Sequence, residues 1–162
     1  MSESSQRGLV TKALRALHAV AVENPAFPGT PDVNYVEGWI ELKELDRWPK
    51  NADESPVLVE HYTPQQRRWQ VERRIAHGTC WFVLKVGQEW LLYDAAIAAL
   101  HVGLVPRPEL RKLAAHQFNR FDNQEFLECI SQPMKSCWST AAEKASLRLR
   151  LLETLRYLSA DT

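Results

Sequence analysis

The chain has 162 residues, about one domain's worth of sequence. Hydrophobic residues make up 45% and include six Trp and five Phe, enough to bury a core, which excludes a disordered chain. Lys+Arg and Asp+Glu stand at 20 each, a formal net charge of zero, so nucleic acid cannot be held by a uniformly basic surface; such a partner would need a local basic patch set against an acidic site.

In chain order, Leu9, Ala13, Leu14 and Leu17 recur at helical spacing and predict an amphipathic helix over 5–17. His18 to Glu23 reads as a short strand, and Pro25, Pro28, Gly29 and Pro31 enforce an irregular loop. Asp32 to Val36 and Gly38 to Leu45 read as two strands joined tightly around Glu37-Gly38. Residues 46–55 are polar and read as a loop, followed by a brief strand from Val57 to His61. Thr63-Pro64 opens a helix, since Thr caps and Pro suits the first turn; it runs to about His77, where Gly78 stops it. Cys80 to Val86 and Glu89 to Tyr93 form a predicted hairpin about Gly87-Gln88, and Asp94 caps a short Ala-rich helix ending at Gly103. Beyond Pro106 the pattern is helix or loop: Glu109 to Phe118, Asn123 to Ile130, and about Thr140 to Leu158.

This order predicts an α/β core over 1–103 and a helical extension over 104–162, serving DNA binding or dimerisation. In the extension, Lys144, Arg148, Arg150 and Arg156 suit a DNA backbone, whereas Leu147, Leu151, Leu155 and Leu158 form a stripe that is either core or a dimer seam. A homodimer is therefore permitted, and the low net charge eases it. Three cysteines, Cys80, Cys129 and Cys137, lack framework spacing and suit a reducing compartment. The N-terminal residues do not read as a signal peptide, and the longest apolar run, near Ala95 to Leu100, is too short to span a bilayer. The expectation is a soluble, cytoplasmic protein with no membrane partner.

The chemistry concentrates in GTPDVNYVEGWIELKEL. On a strand from Gly38 to Leu45, Trp39, Glu41 and Lys43 share one face, and Ile40, Leu42 and Glu44 the other. Glu41 and Lys43 then lie roughly 7 Å apart along the strand, close enough to converge on one point. Hydrolysing a phosphodiester needs a hard divalent cation held by carboxylates, and one carboxylate makes a weak site. Asp32, led in by Gly-Thr-Pro, is the natural second acid, and a Lys beside it orients water or stabilises developing negative charge.

Pro31-Asp32, followed nine residues after Asp32 by Glu41-Leu42-Lys43, resembles the PD-(D/E)xK nuclease signature. The helix start TPQQRRW (Thr63 to Trp69), with Gln66, then Gly78 and the apolar run Cys80 to Val86, is similar to Holliday-junction resolvase-like and VRR-NUC-type members. The phrase ENPAFPGTPDVNY…GWIELK also looks like small phage-encoded nucleases, which would put the protein in a host cytoplasm. The resemblance covers about residues 20 to 93. It implies a restriction-endonuclease-like αβββαβ core with a small mixed sheet and Mg²⁺-dependent cleavage of DNA, Mn²⁺ substituting, with structure-specific (junction or flap) substrates within its range. Asp32 and Glu41 would hold the metal, Lys43 would position water, and Gln66 would support the site or contact phosphate. Many relatives carry a further Glu on the first helix; here Glu3 precedes the predicted helix, and Glu23 is the candidate substitute.

Other readings compete. Arg67, Arg68, Arg73 and Arg74 are a phosphate-contacting surface or an ordinary solvated helix face. Glu41 and Lys43 are a site or a same-face ion pair in an interaction protein. The loss of the helix-one acid allows a catalytically inactive nucleic-acid-binding or assembly module on the same fold. His77 and Cys80 lack a second ligand pair for zinc, no His partner marks a Cys nucleophile, and no glycine-rich phosphate loop is present.

Overall fold

The protein, seen in a computed structural model, is described over residues 3–134 and 138–160. Helix α1 (Glu3–Ala13) leads through a 3-10 turn (Arg15–Leu17) into β1 (Val20–Ala21), β2 (Val33–Tyr35) and β3 (Gly38–Leu45). Helix α2 (Pro64–Ile75), β4 (Thr79–Val86), β5 (Glu89–Asp94) and α3 (Ala95–His101) follow. The chain continues through α4 (Arg107–Leu113), β6 (His116–Phe118), α5 (Asn123–Ser131) and α6 (Ala141–Ala160).

All six strands form one mixed sheet in sequence order. β3 and β4 are parallel, from Gly38↔Thr79 to Leu45↔Val86; the other neighbours are antiparallel. A parallel pair needs a crossover, and α2 supplies it. Gly38 begins this pair because the strands approach so closely there that a Cβ would lie 2.5 Å from the Thr79 carbonyl oxygen.

Alternation along β3 sends Ile40 and Leu42 to one face, where Val33, Tyr35, Trp81, Val83 and Leu92 join them beneath α1 (Val10, Leu14) and α5 (Phe126, Ile130). On the other face Phe82, Leu84, Leu91 and Tyr93 pack with α3, Val57 and Leu110, and Trp39 and Trp69 pack against them. A third cluster joins α2 (Val71, Ile75), α3 (Ala96, Ala99) and α6 (Leu147, Leu151, Leu155). The molecule is an α/β protein with helices on both faces of its sheet. Among the described residues no helix is long and apolar enough to cross a membrane.

The strand Gly38–Leu45 and the Asp94-capped helix lie where expected, and the predicted hairpin lengthens by one residue at each outer end. Four expectations are corrected. The first helix begins at Glu3, so Glu3 belongs to it rather than preceding it. The strand over His18 to Glu23 shrinks to two residues at the sheet edge, both exposed. Val57 to His61 is not a strand: Val57 is fully buried and donates to Val105 O, but Leu58 is exposed and no strand partner lies alongside. The helix expected over Glu109 to Phe118 ends at Leu113, because His116 to Phe118 pair with the free edge of β5.

β6 therefore makes the C-terminal region part of the sheet rather than an all-helical appendage. α5 and α6 complete cores that the first hundred residues begin. Of the Leu stripe on α6, Leu147, Leu151 and Leu155 are buried against α2 and α3, which makes them core within the chain.

Candidate active site

The β2–β3 hairpin positions the first acid. Pairing runs from Tyr35↔Gly38 to Val33↔Ile40, and one residue further on β2 no longer pairs. The Leu42 N–H, which a longer β2 would have received, is satisfied instead by Asp32 Oδ2 at 2.9 Å. Asp32 is thereby pinned beside Glu41-Leu42 with its second oxygen turned away. The preceding loop is fixed from the other side: Gly29 has φ +92°, and a Cβ there would lie 2.6 Å from the Gln65 backbone. Only glycine lets the loop that carries Asp32 dock on the start of α2.

That helix start brings in the next group. Thr63 and Gln66 form a capping box: Thr63 Oγ1 accepts the Gln66 N–H at 3.2 Å, and Gln66 Oε1 accepts the Thr63 N–H at 2.9 Å. The other half of the same amide, Gln66 Nε2, donates to Glu41 Oε1 at 2.6 Å. Lys43 Nζ reaches that same oxygen at 2.8 Å. One turn beyond Gln66, Trp69 meets Trp39 edge to face at 5.5 Å and holds α2 against this face of β3.

Glu41 is fully buried and the Lys43 side chain is 6% exposed. Burying two ions is costly unless each is paired and hydrogen-bonded, and their arrangement meets that condition at Glu41 Oε1. Fully buried Gln6, from α1, adds a long contact of 3.4 Å to the Lys43 carbonyl.

A second cluster adjoins the first. Arg7, from α1, spans two acids, with Nη1 3.1 Å from Glu23 Oε1 and Nη2 3.0 Å from Asp32 Oδ1. Glu23 is largely exposed, and Asp32 and Arg7 are each 21% exposed, so solvent reaches this cluster as it does not reach Glu41. The structure thus places Asp32, Glu41, Lys43 and Gln66 together, and brings Glu23 to Asp32 through Arg7. Neither Gln6 nor Arg7 was marked by the sequence reading. Their only local signal is polarity on a helix, and their partners lie 16 to 37 residues away.

The four arginines of α2 divide. Arg67 and Arg74 are buried, which corrects the expectation that all four form one basic surface. Arg67 Nη1 and Nη2 donate to the Ala99 and Val102 carbonyls at the end of α3, and its guanidinium stacks 3.9 Å over the Tyr62 ring. Desolvation lowers the Arg67 pKa, opposed by Tyr62. Arg74 grips Asp94 at 2.8 Å and the Gly78 carbonyl at 3.0 Å. The physical reason is helical spacing: positions 67, 70, 71 and 74 lie on the face turned inward, while Arg68 and Arg73 face solvent.

Cys80 and Cys129 are buried free thiols, and burial pushes both up in pKa, so neither is an activated nucleophile. Cys137 lies outside the described residues.

Carboxylate oxygens suit a hard dication, and the bridging of Glu23 and Asp32 by one cationic group shows that their oxygens already converge on a positive charge. As the side chains stand, no three acid, His or Cys groups among the described residues are arranged to hold a metal together. The donor chemistry fits, with Arg7 and Lys43 supplying the positive charge. In comparison with known proteins, the chain matches no protein-family model and no curated protein sequence.

Proposed function

We propose that this chain is a divalent-metal-dependent endonuclease of the PD-(D/E)xK type that hydrolyses DNA phosphodiester bonds. The observation that carries this reading is the meeting of Lys43 Nζ and Gln66 Nε2 on one oxygen of buried Glu41, beside an Asp32 pinned to the backbone between Glu41 and Lys43. The order α1, β1, β2, β3, α2, β4 agrees with the αβββαβ core that the resemblance implies.

In this reading Asp32 and Glu41 hold the metal, with Glu23 as third acid. Bound there, Mg²⁺ would neutralise phosphate charge and lower the pKa of a water. Asp32 Oδ2 stays on the Leu42 N–H, leaving Oδ1 as the oxygen able to face a ligand. Lys43 sits within reach of the attacking oxygen and stabilises the negative charge that develops on phosphorus-bound oxygens. Gln66 keeps the Glu41 carboxylate oriented. Water adds to phosphorus, the bond to the leaving oxygen breaks, and the proton released by the water ends on that oxygen. Exposed Arg68 and Arg73 offer phosphate contacts beside this face.

One observation favours a second reading, that of a nucleic-acid-binding module without catalysis: Arg7 holds the Asp32 oxygen that a metal would need. The two readings part on a cleavage assay with Mg²⁺ or Mn²⁺ using a four-way junction, a flap, linear duplex and single-stranded DNA. Cleavage that disappears with EDTA, in Asp32→Asn and in Lys43→Ala supports the nuclease, and the preferred substrate names its specificity. No cleavage of any substrate together with no metal binding sinks it.

A further inference from the structure

We propose that Arg7 is a resident cation of this site, exchanged for the divalent ion: its guanidinium occupies the position between Glu23 and Asp32 and must leave Asp32 Oδ1 before a metal can bind. This inference rests on the nuclease reading and names what regulates metal entry to it.

Three features distinguish Arg7 from the other well-ordered arginines. Its two terminal nitrogens meet only carboxylates, Glu23 Oε1 at 3.1 Å and Asp32 Oδ1 at 3.0 Å. Arg67, by contrast, donates to two backbone carbonyls, and Arg74 to the Gly78 carbonyl as well as to Asp94. Backbone acceptors build a guanidinium into the fold, whereas side-chain acids are free to change partner. Second, Arg7 Nε is buried with no hydrogen-bond partner, a cost that a built-in structural arginine normally avoids. Third, the Arg7 side chain retains 21% exposure, so it has a route to solvent that does not require α1 to unfold. Val10 and Leu14, both fully buried, hold the helix in place while the side chain moves.

The geometry makes the two cations mutually exclusive at one atom. Asp32 Oδ2 is committed to the Leu42 N–H at 2.9 Å, and Arg7 holds Oδ1. A metal bound by Asp32 needs Oδ1, and two cations cannot share it at contact distance. Partly exposed ion pairs are individually weak, so a dication with water ligands of its own can displace the guanidinium. The displaced arginine remains at the site, where an incoming phosphate would restore its neutralisation. Part of the metal's binding energy would thus be spent on removing Arg7 until a polyanion arrives to take it.

The test is Mn²⁺ binding without DNA, followed by calorimetry on wild type, Arg7→Gln, Arg7→Lys and Asp32→Asn. Circular dichroism establishes that each variant is folded. Exchange predicts that Arg7→Gln binds Mn²⁺ about tenfold more tightly than wild type. It also predicts tighter binding by Arg7→Lys, because a single ammonium cannot span both acids although it keeps the charge. Asp32→Asn should bind weakly or not at all. An Arg7→Gln affinity equal to or below that of wild type, with Asp32→Asn abolishing binding, overturns the exchange and leaves the nuclease reading standing. Arg7→Lys equal to wild type reduces Arg7 to a background charge and likewise overturns it. Absence of Mn²⁺ binding in wild type and both Arg7 variants overturns the exchange and the metal site together.

Discussion

Helix α2 carries a buried ion contact at each end, and the two are built differently. At its C-terminal end Arg74 and Asp94 are tied into the backbone: Arg74 donates to the Gly78 carbonyl, and Asp94 Oδ1 accepts the Ala96 N–H that starts α3. At its N-terminal end Glu41 receives Lys43 and Gln66 through side chains alone at Oε1, next to solvent-accessible acids. The first pair joins α2, β4 and α3 and explains itself as architecture. The second does less for the fold than its desolvation demands, which is the pattern expected where chemistry rather than stability retains buried charge.

The largest expected effect falls on the architectural pair. Arg74→Ala leaves Asp94 buried without its guanidinium and should lower unfolding free energy by about 3–5 kcal/mol, read by urea denaturation. Cleavage per folded molecule should persist, and its loss would erase the distinction between the two ends. The converse substitution removes both charges at the other end. Glu41→Leu with Lys43→Met should leave stability unchanged or raise it by about 1–4 kcal/mol, while abolishing metal-dependent cleavage. A large fall in stability would make Glu41–Lys43 another architectural clamp.

A smaller effect attaches to the helix start. Thr63→Ala removes one half of the capping box and should cost about 1 kcal/mol in the same denaturation experiment. Because Gln66 links that box to Glu41, cleavage should fall by more than the stability loss accounts for; an unchanged rate would detach the cap from the site.

The smallest effect lies at the far side of the sheet, in an ion cluster that serves neither role. Burial alone would raise the Glu89 carboxyl, but hydrogen bonds from Arg111 and Trp48 outweigh it and hold the pKa below the usual range. A depressed carboxylate contributes stability above its unfolded pKa and loses it as pH falls through the folded value. Glu89→Gln should therefore flatten the decline of melting temperature below about pH 4.3, with no change in metal binding. A wild-type slope retained in the variant would assign that decline to other acids.

Much of the site was legible in the sequence because its signals are local. Alternation on Gly38–Leu45 put Glu41 and Lys43 on one face, and Thr63-Pro64 announced the helix whose cap contains Gln66. Pro31-Asp32 marked the start of β2 to within a residue. The basic run of α2 was legible only as composition. Which arginines face solvent depends on where α3 and α6 pack, so Arg67 and Arg74 had no visible reason to be inside.

The sequence by itself determined the alternating β3 strand, the hairpin, the capped helices and the candidate acids, since periodicity, caps and turn residues act within a few positions of one another. Only the tertiary structure decided that β6 completes the sheet, that the α6 leucines are core, and that Arg7 stands between Glu23 and Asp32. Each of these depends on which surfaces meet after the chain has collapsed. A three-residue strand takes its state from the free edge it finds, and a guanidinium takes its role from acids brought to it across the fold.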